Sequence, residues 1–176
     1  TQILQGVRGY FSTKDEHPQE VSPYSNQRES IYINIGVLPV GSTQYLKVLA
    51  HELQHAVHWN ADPSEDQWVN EGLSELATTI AGIDQGGGFR GVGSSPTSLV
   101  NWPPSTSVSG ASYALASLFF HYLSEHYGDP NDLRPLLNEP LDGIIGITAY
   151  LTSSGYDADF RDVFRDWAVA NLLENS

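Results

Sequence analysis

Two apolar helical repeats in close succession constrain this chain more than any other feature. From Ser42 onward, Leu46, Leu49, Leu53 and Val57 recur at the spacing of one helix side, with Ser42 or Thr43 placed to cap the start. This predicts a helix over 43–59. After a polar break at Asn60 to Ser64, Asp62, Pro63 and Glu65 read as a capping start, and Trp68, Leu73, Leu76 and Ile80 carry the period to a stop at Gly82. So short a connection returns the second helix beside the first, and residues on their facing sides are brought together.

Around this hairpin the signals are simpler. Ile3 to Tyr10 and Ser30 to Val37 read as strands, the second alternating through Ile31, Ile33 and Ile35. Asp15 to Glu29 between them, with Pro18, Pro23, Ser25 and Asn26, reads as a surface connection too polar for the core. A Gly/Ser/Pro-rich stretch from Gly86 to Ser109 separates the hairpin from a third helix over 111–127, closed by Gly128 and Pro130. Further helices are expected over 131–138, 143–153 and 158–173, the last capped by Asp157 and carrying Phe160, Phe164, Trp167 and Leu172. At 176 residues a single domain spanning 1–176 is expected.

Charge and composition remove several function classes. The chain holds 8 Lys+Arg against 21 Asp+Glu, a formal charge of −13, which repels phosphate backbones and anionic membranes; nucleic acid is not an expected partner. It has no Cys, so disulfide frameworks, thiolate metal sites and cysteine nucleophiles are excluded. No apolar run is long enough to span a membrane, and the chain begins at Thr1, which reads as a processed or cut chain. An acidic sequence free of Cys and Met fits an exported, secreted bacterial protein.

The chemistry lies on the hairpin. His51-Glu52-Leu53-Gln54-His55 falls within the first predicted helix. Residues four apart are separated by only about 40° around a helix axis, one turn along, so both imidazoles can grip one ion. A catalytic zinc site needs a third protein ligand and an open position for water, and Glu71 on the returning helix is placed to supply that ligand. Glu52, adjacent to a ligand, can then reach the water as general base. Two histidines and a glutamate are ordinarily surface or packing residues; three positions meeting one geometry on independently signalled helices favour a metal site.

His51 to His55 followed by Asn70-Glu71-Gly72-Leu73-Ser74-Glu75 resembles the gluzincin metallopeptidases. Asn-Glu-x-x-Ser-acidic is similar to thermolysin-like enzymes, and Trp68-Val69-Asn70-Glu71-Gly72 to the aminopeptidase-N family. Overall the chain most resembles hyicolysin-type secreted bacterial peptidases, from Gly9-Tyr10-Phe11 through the Tyr113 helix to Trp167-Ala168-Val169-Ala170-Asn171. The resemblance implies zinc on His51, His55 and Glu71, with Glu52 as base. It also implies Asn70 and Glu75 behind the ligands, Glu75 accepting a ring N–H. Tyr113 resembles the oxyanion-stabilising tyrosine of the aminopeptidase-N family.

Two departures refine the transfer. The gap from His55 to Glu71 is shorter than in those families, so the turn must be tight. Without Met the chain also lacks the Gly-x-Met-x-Asn segment of the aminopeptidase amino-terminus clamp, which points to endopeptidase action. An aminopeptidase of the same clan, or a non-catalytic adhesion module with a structural metal, are the alternatives. The fold implied is α+β and zincin-like, resembling the thermolysin catalytic domain: a small N-terminal mixed sheet, the ligand-bearing helix beneath it and a helical C-terminal half. The earlier strands of such a fold are missing before Thr1, so a piece of a longer precursor is expected. The strand over 30–36 is expected to be internal and Gly9 to Ser12 an exposed edge, where Gly9, Tyr10 and Phe11 bind peptide substrate by strand addition.

Other candidates carry less. The metzincin pattern fails because His58 and Ala61 stand where its glycine and third histidine belong. His58 is expected as a helix-face residue, while His121 and His126 are candidates to approach the cleft. Gly86-Gly87-Gly88-Phe89-Arg90-Gly91 matches a dinucleotide fingerprint by letter, yet it follows a helix and no strand feeds it. Asp157, Asp159 and Asp162 lack EF-hand spacing, so calcium, a second candidate cofactor, is expected elsewhere if bound.

Overall fold

The computed structural model describes residues 6–83, 97–103, 110–129 and 134–174. It is an α-rich α+β arrangement. Strands β1 (Gly9–Phe11) and β2 (Ile31–Ile33) are followed by helices α1 (Thr43–Ala61), α2 (Gln67–Ile80), α3 (Gly110–Tyr127), α4 (Arg134–Leu137), α5 (Gly143–Ser153) and α6 (Phe160–Glu174). The segment Gly86 to Gly91, residues 3–5 of the first expected strand and residues 131–133 of the expected fourth helix lie outside the described residues.

The strands pair antiparallel, with Gly9 opposite Ile33, Tyr10 opposite Tyr32 and Phe11 opposite Ile31. Among the described residues the sheet has only these two strands, so it is antiparallel rather than mixed, and β2 has one strand neighbour instead of two. β2 stops early because Asn34 turns the chain. Its carbonyl accepts from the amides of Val37 and Leu38, and its side-chain Oδ1 accepts from Gly36 N at 3.1 Å. Tyr10 and Tyr32 stack across the pair at 4.7 Å between ring centroids. The connection between the strands is less superficial than its polarity predicts. Asp15 is buried, accepting from Asn26 N at 2.9 Å and from the Tyr32 hydroxyl at 2.7 Å. The backbone bond from Asn26, then that from Tyr32, hold the Asp15 carboxyl below its usual range.

α1 starts as the sequence predicts, with the Ser42 hydroxyl accepting from Tyr45 N at 3.2 Å, and runs slightly past its predicted end. Its predicted core stripe, however, faces outward: Leu46, Leu53 and Val57 are 41, 52 and 46% exposed. The buried positions are Glu52, Ala56 and His58, because α1 packs against α2 and the two strands with its polar side. α2 begins at Gln67 rather than at Asp62. Asp62 spends its side chain on the turn, its Oδ1 accepting from Ser64 N at 3.0 Å and from the Ser64 hydroxyl at 2.9 Å. The far end of α2 closes at Gly82 as expected. Gly82 has φ +70°, with bonds from Gly82 N to the Thr79 carbonyl and from Ile83 N to that of Thr78, the pattern of a glycine C-terminal cap.

The core lies behind α2. Trp68, Val69, Leu73 and Leu76 meet Ala116, Phe119, Phe120 and Leu123 of α3, and Ile147, Leu151, Phe160, Val163 and Trp167 complete the cluster. α6 is capped by Asp159, not Asp157: its Oδ1 accepts from Arg161 N at 2.8 Å and Asp162 N at 3.1 Å. Phe164 and Leu172 point outward, at 39 and 71% exposure. Among the described residues no helix is long and apolar enough to cross a membrane.

One glycine sets the α2–α3 distance. A Cβ on Gly72 would run into the Phe120 ring, with Cε2 at 2.7 Å and the Ala116 methyl at 3.1 Å. Gly72→Ala is expected to destabilise by about 1–3 kcal/mol through overpacking. The readout is a lower urea midpoint at unchanged slope; an unaltered midpoint would mean that Phe120 gives way freely.

Candidate metal centre

The tight turn places Glu71 opposite the two histidines of α1. His51 Nε2 and His55 Nε2 are 3.1 Å apart, and the Glu71 Oε2 lies 3.2 Å from the first and 3.4 Å from the second. For a tetrahedral ion with ligand bonds of about 2.0–2.1 Å, donor atoms must stand about 3.3–3.4 Å apart. The triangle therefore fits one divalent ion, and two imidazoles with a carboxylate are a donor set such ions accept. Among the described residues this is the one group of three His, Cys, Asp or Glu side chains that converges in this way, so no carboxylate group there answers the calcium expectation.

The remaining ring nitrogens orient the ligands. His51 Nδ1 is 3.3 Å from Glu75 Oε1. His55 Nδ1 is bonded to Asn70 Oδ1 and lies 3.1 Å from the Ser74 hydroxyl, which itself donates to the Asn70 carbonyl at 2.9 Å. With acceptors at both Nδ1 atoms, these nitrogens carry the hydrogens and the Nε2 lone pairs turn toward the ion position. Asn70 and Glu75 thus lie against the outer ring nitrogens of His55 and His51. Ser74, the serine of the Asn-Glu-x-x-Ser-acidic motif, was given no role by the sequence, although it lies four residues after Asn70 on the same helix side. Lys47 was also missed; one turn before His51, its Nζ is 3.5 Å from Glu75 Oε2.

Charges in the centre are strongly coupled. Burial alone would lower the His51 pKa, but hydrogen bonds and charge from Glu71 and Glu75 outweigh it and push it up to about 10. For Glu71, burial acts upward while His51 and His55 prevail and take it down to about 2. The two shifts have one cause, the attraction between the imidazoles and the Glu71 carboxylate. Glu52 does not belong to the ligand triangle. It is buried, its Oε2 accepts from Phe11 N at 2.9 Å, and burial raises its carboxyl above the usual value. Such an elevated carboxylate beside an ion site is suited to accept and return a proton.

These groups open onto a cavity of about 450 Å³ lined by Gly9, Tyr10, Phe11, Tyr113 and the metal-site residues. A second cavity of about 700 Å³ shares Gly9, His51, Glu52 and Tyr113 with the first. Tyr113 therefore stands on the common wall. Burial, then the charges of Glu71, Glu75 and Glu52, push its phenol up to about 12, so it holds its proton at neutral pH. β1 is wedged onto α1: a Cβ on Gly9 would meet Val48 Cγ1 at 2.5 Å. Because Asn34 N bonds to the Arg8 carbonyl in the ladder, the amides of Gly9 and Phe11 face away from β2. Phe11 N uses that outward direction to reach Glu52.

The other histidines stand apart. His58 is buried and outside the triangle; burial drives its pKa down to about 4 against the opposing charge of Asp62. His121 pairs with the Thr79 hydroxyl at 3.2 Å and His126 packs on Tyr122 at 4.3 Å. Neither lines the two cavities. Compared with protein-family models, curated proteins and solved structures, the chain matches none.

Proposed function

We propose that this chain is a zinc-dependent endopeptidase with a zincin-like arrangement, a short outward strand lying over the ligand-bearing helix. The observation that carries the reading is the Nε2, Nε2 and carboxylate triangle of His51, His55 and Glu71 with the buried, non-ligating Glu52 beside it in an open cavity. When bound, zinc supplies Lewis acidity toward water and the scissile carbonyl. The protein's own groups carry the protons. Glu52 accepts one from the attacking water and returns it to the leaving amine. The Tyr113 hydroxyl, protonated and already part of the cleft wall, donates toward the oxygen on which negative charge develops. The outward amide and carbonyl of Gly9 offer a peptide an edge to pair with, beside the Phe11 amide that holds Glu52.

The test is cleavage of an internally quenched peptide blocked at both ends, using protein loaded with one equivalent of zinc. Internal cleavage is expected, abolished by a chelator and restored by added zinc. Stoichiometric zinc binding without any cleavage across a broad peptide mixture would overturn the reading.

A further inference from the structure

The cleft is electrically uneven along its length. Toward the β1 C-terminal end, the cavity holding Phe11 also contains Trp59, Glu65 and Gln67, and no Lys or Arg among the described residues. Beyond Gly9 at the other end, the second cavity contains Arg8, Gln44 and Lys47, the last paired with Glu75 on the same lining at 3.5 Å. Arg8 there bonds to the neutral Gln44 at 3.4 Å and, among the described residues, makes no ion pair.

Glu65 is held in an unusual way. Its Oε1 accepts from both Gly143 N, at 2.8 Å, and Asp66 N. Its Oε2 takes no hydrogen bond among the described residues. Two backbone donors from separate segments thus fix the carboxylate while leaving one oxygen uncommitted in a cavity walled by Trp59. Burial pushes the Glu65 carboxyl up to about 7, with Asp62 and Asp142 adding to it and the two amides opposing. Among the described residues no Lys or Arg lines this cavity to balance a negative charge there, and an incoming cation would supply the counter-charge beside Trp59.

The direction of a bound peptide follows from β1. Antiparallel pairing is the more stable ladder. A peptide laid antiparallel along the outward edge of β1, paired to the Gly9 amide and carbonyl, enters with its amino-terminal side in the Trp59–Glu65 cavity. It leaves past Arg8 and Lys47. The geometry points to Glu65 as a specificity-determining residue that selects a cationic group on the amino-terminal side of the scissile bond. This inference rests on the peptidase reading above. Two sources share that chemistry, an Arg or Lys side chain and the free amino terminus of a short peptide.

The experiment measures binding separately from cleavage. Zinc-loaded Glu52→Gln protein is titrated with fluorescent peptides by anisotropy. One pair of acetylated peptides differs only by Arg against citrulline, its neutral isostere, on the amino side. A second pair, lacking Arg and Lys, differs only by a free against an acetylated amino terminus. A charge-assisted bond predicts a preference of roughly ten- to a hundredfold for the cationic member of one pair, and the pair that shows it identifies the source. Adding Glu65→Gln, which retains a carbonyl for the Gly143 and Asp66 amides, is expected to remove that preference. The citrulline comparison needs no second variant and holds if Glu65→Gln fails to fold.

Absence of discrimination in both pairs, or a preference that survives Glu65→Gln, overturns the proposal. Cleavage by the unaltered protein reports on the peptidase reading independently. Cleavage without cation preference sinks the Glu65 assignment alone. Glu65-dependent binding without cleavage sinks the peptidase reading alone.

Discussion

Replacing Glu52 by Gln is expected to lower peptide cleavage by about 10²–10⁴-fold, the usual contribution of a positioned general base, while leaving zinc content at one per chain. The separation of these effects follows from the geometry. The triangle of ligand atoms is complete without Glu52, and the amide oxygen of Gln can still accept from Phe11 N, so strand and ion site both persist. What disappears is the ability to take a proton. The measurements are metal analysis and turnover of the blocked peptide on the same sample. Cleavage at the unaltered rate would remove Glu52 from the mechanism, and loss of zinc would mean that it helps to hold the ion.

Glu71→Ala should act on the opposite variable. Loss of an outer hydrogen-bond partner of a ligand typically weakens metal binding 10–100-fold, so removing a ligand should cost at least about a hundredfold. The change is readable without any assay of activity. Ligand binding stabilises the folded state by RT ln(1 + [L]/Kd), so at zinc near 100 times the original Kd the unaltered protein gains about 2.7 kcal/mol and the variant well under 1 kcal/mol. A zinc-dependent rise in melting temperature is expected for the first and almost none for the second. An equal rise in both would mean that the ion sits elsewhere.

The convergence of His51, His55 and Glu71 was legible because helix geometry alone relates His51 to His55, and because the short break after Asn60 leaves the next helix little choice but to return. Asn70 and Glu75 were named through the resemblance of the Asn-Glu-x-x-Ser-acidic motif, with the four-residue step from Glu71 to Glu75 keeping Glu75 on the same helix side. The buried side of α1 was not. Its period marks a helix correctly, yet Leu46, Leu53 and Val57 face outward while Glu52 and His58 are enclosed. A hydrophobic stripe reports burial only when burial is driven by apolar contact, and this helix turns its polar side inward to line the cleft. The start of α2 was misread because Asp62 and Glu65, good capping residues by type, are diverted to Ser64 and to Gly143. Gly143 lies far along the sequence, and no local signal announces such a partner. The same diversion hid Glu65 as a wall of the cleft. The second strand proved shorter than its β-branched composition suggests because Asn34 closes a turn with its own side chain.

All three ligand atoms, and the groups that hold their rings, fall between His51 and Glu75 on one helical hairpin. Uniting them therefore requires closing only a small loop, and loop-closure entropy grows with the logarithm of length. Contacts this local form quickly compared with pairings between distant segments. A cation present during synthesis would thus find its donors assembled while the C-terminal helices are still unattached, and would act as an early staple around which the later core condenses.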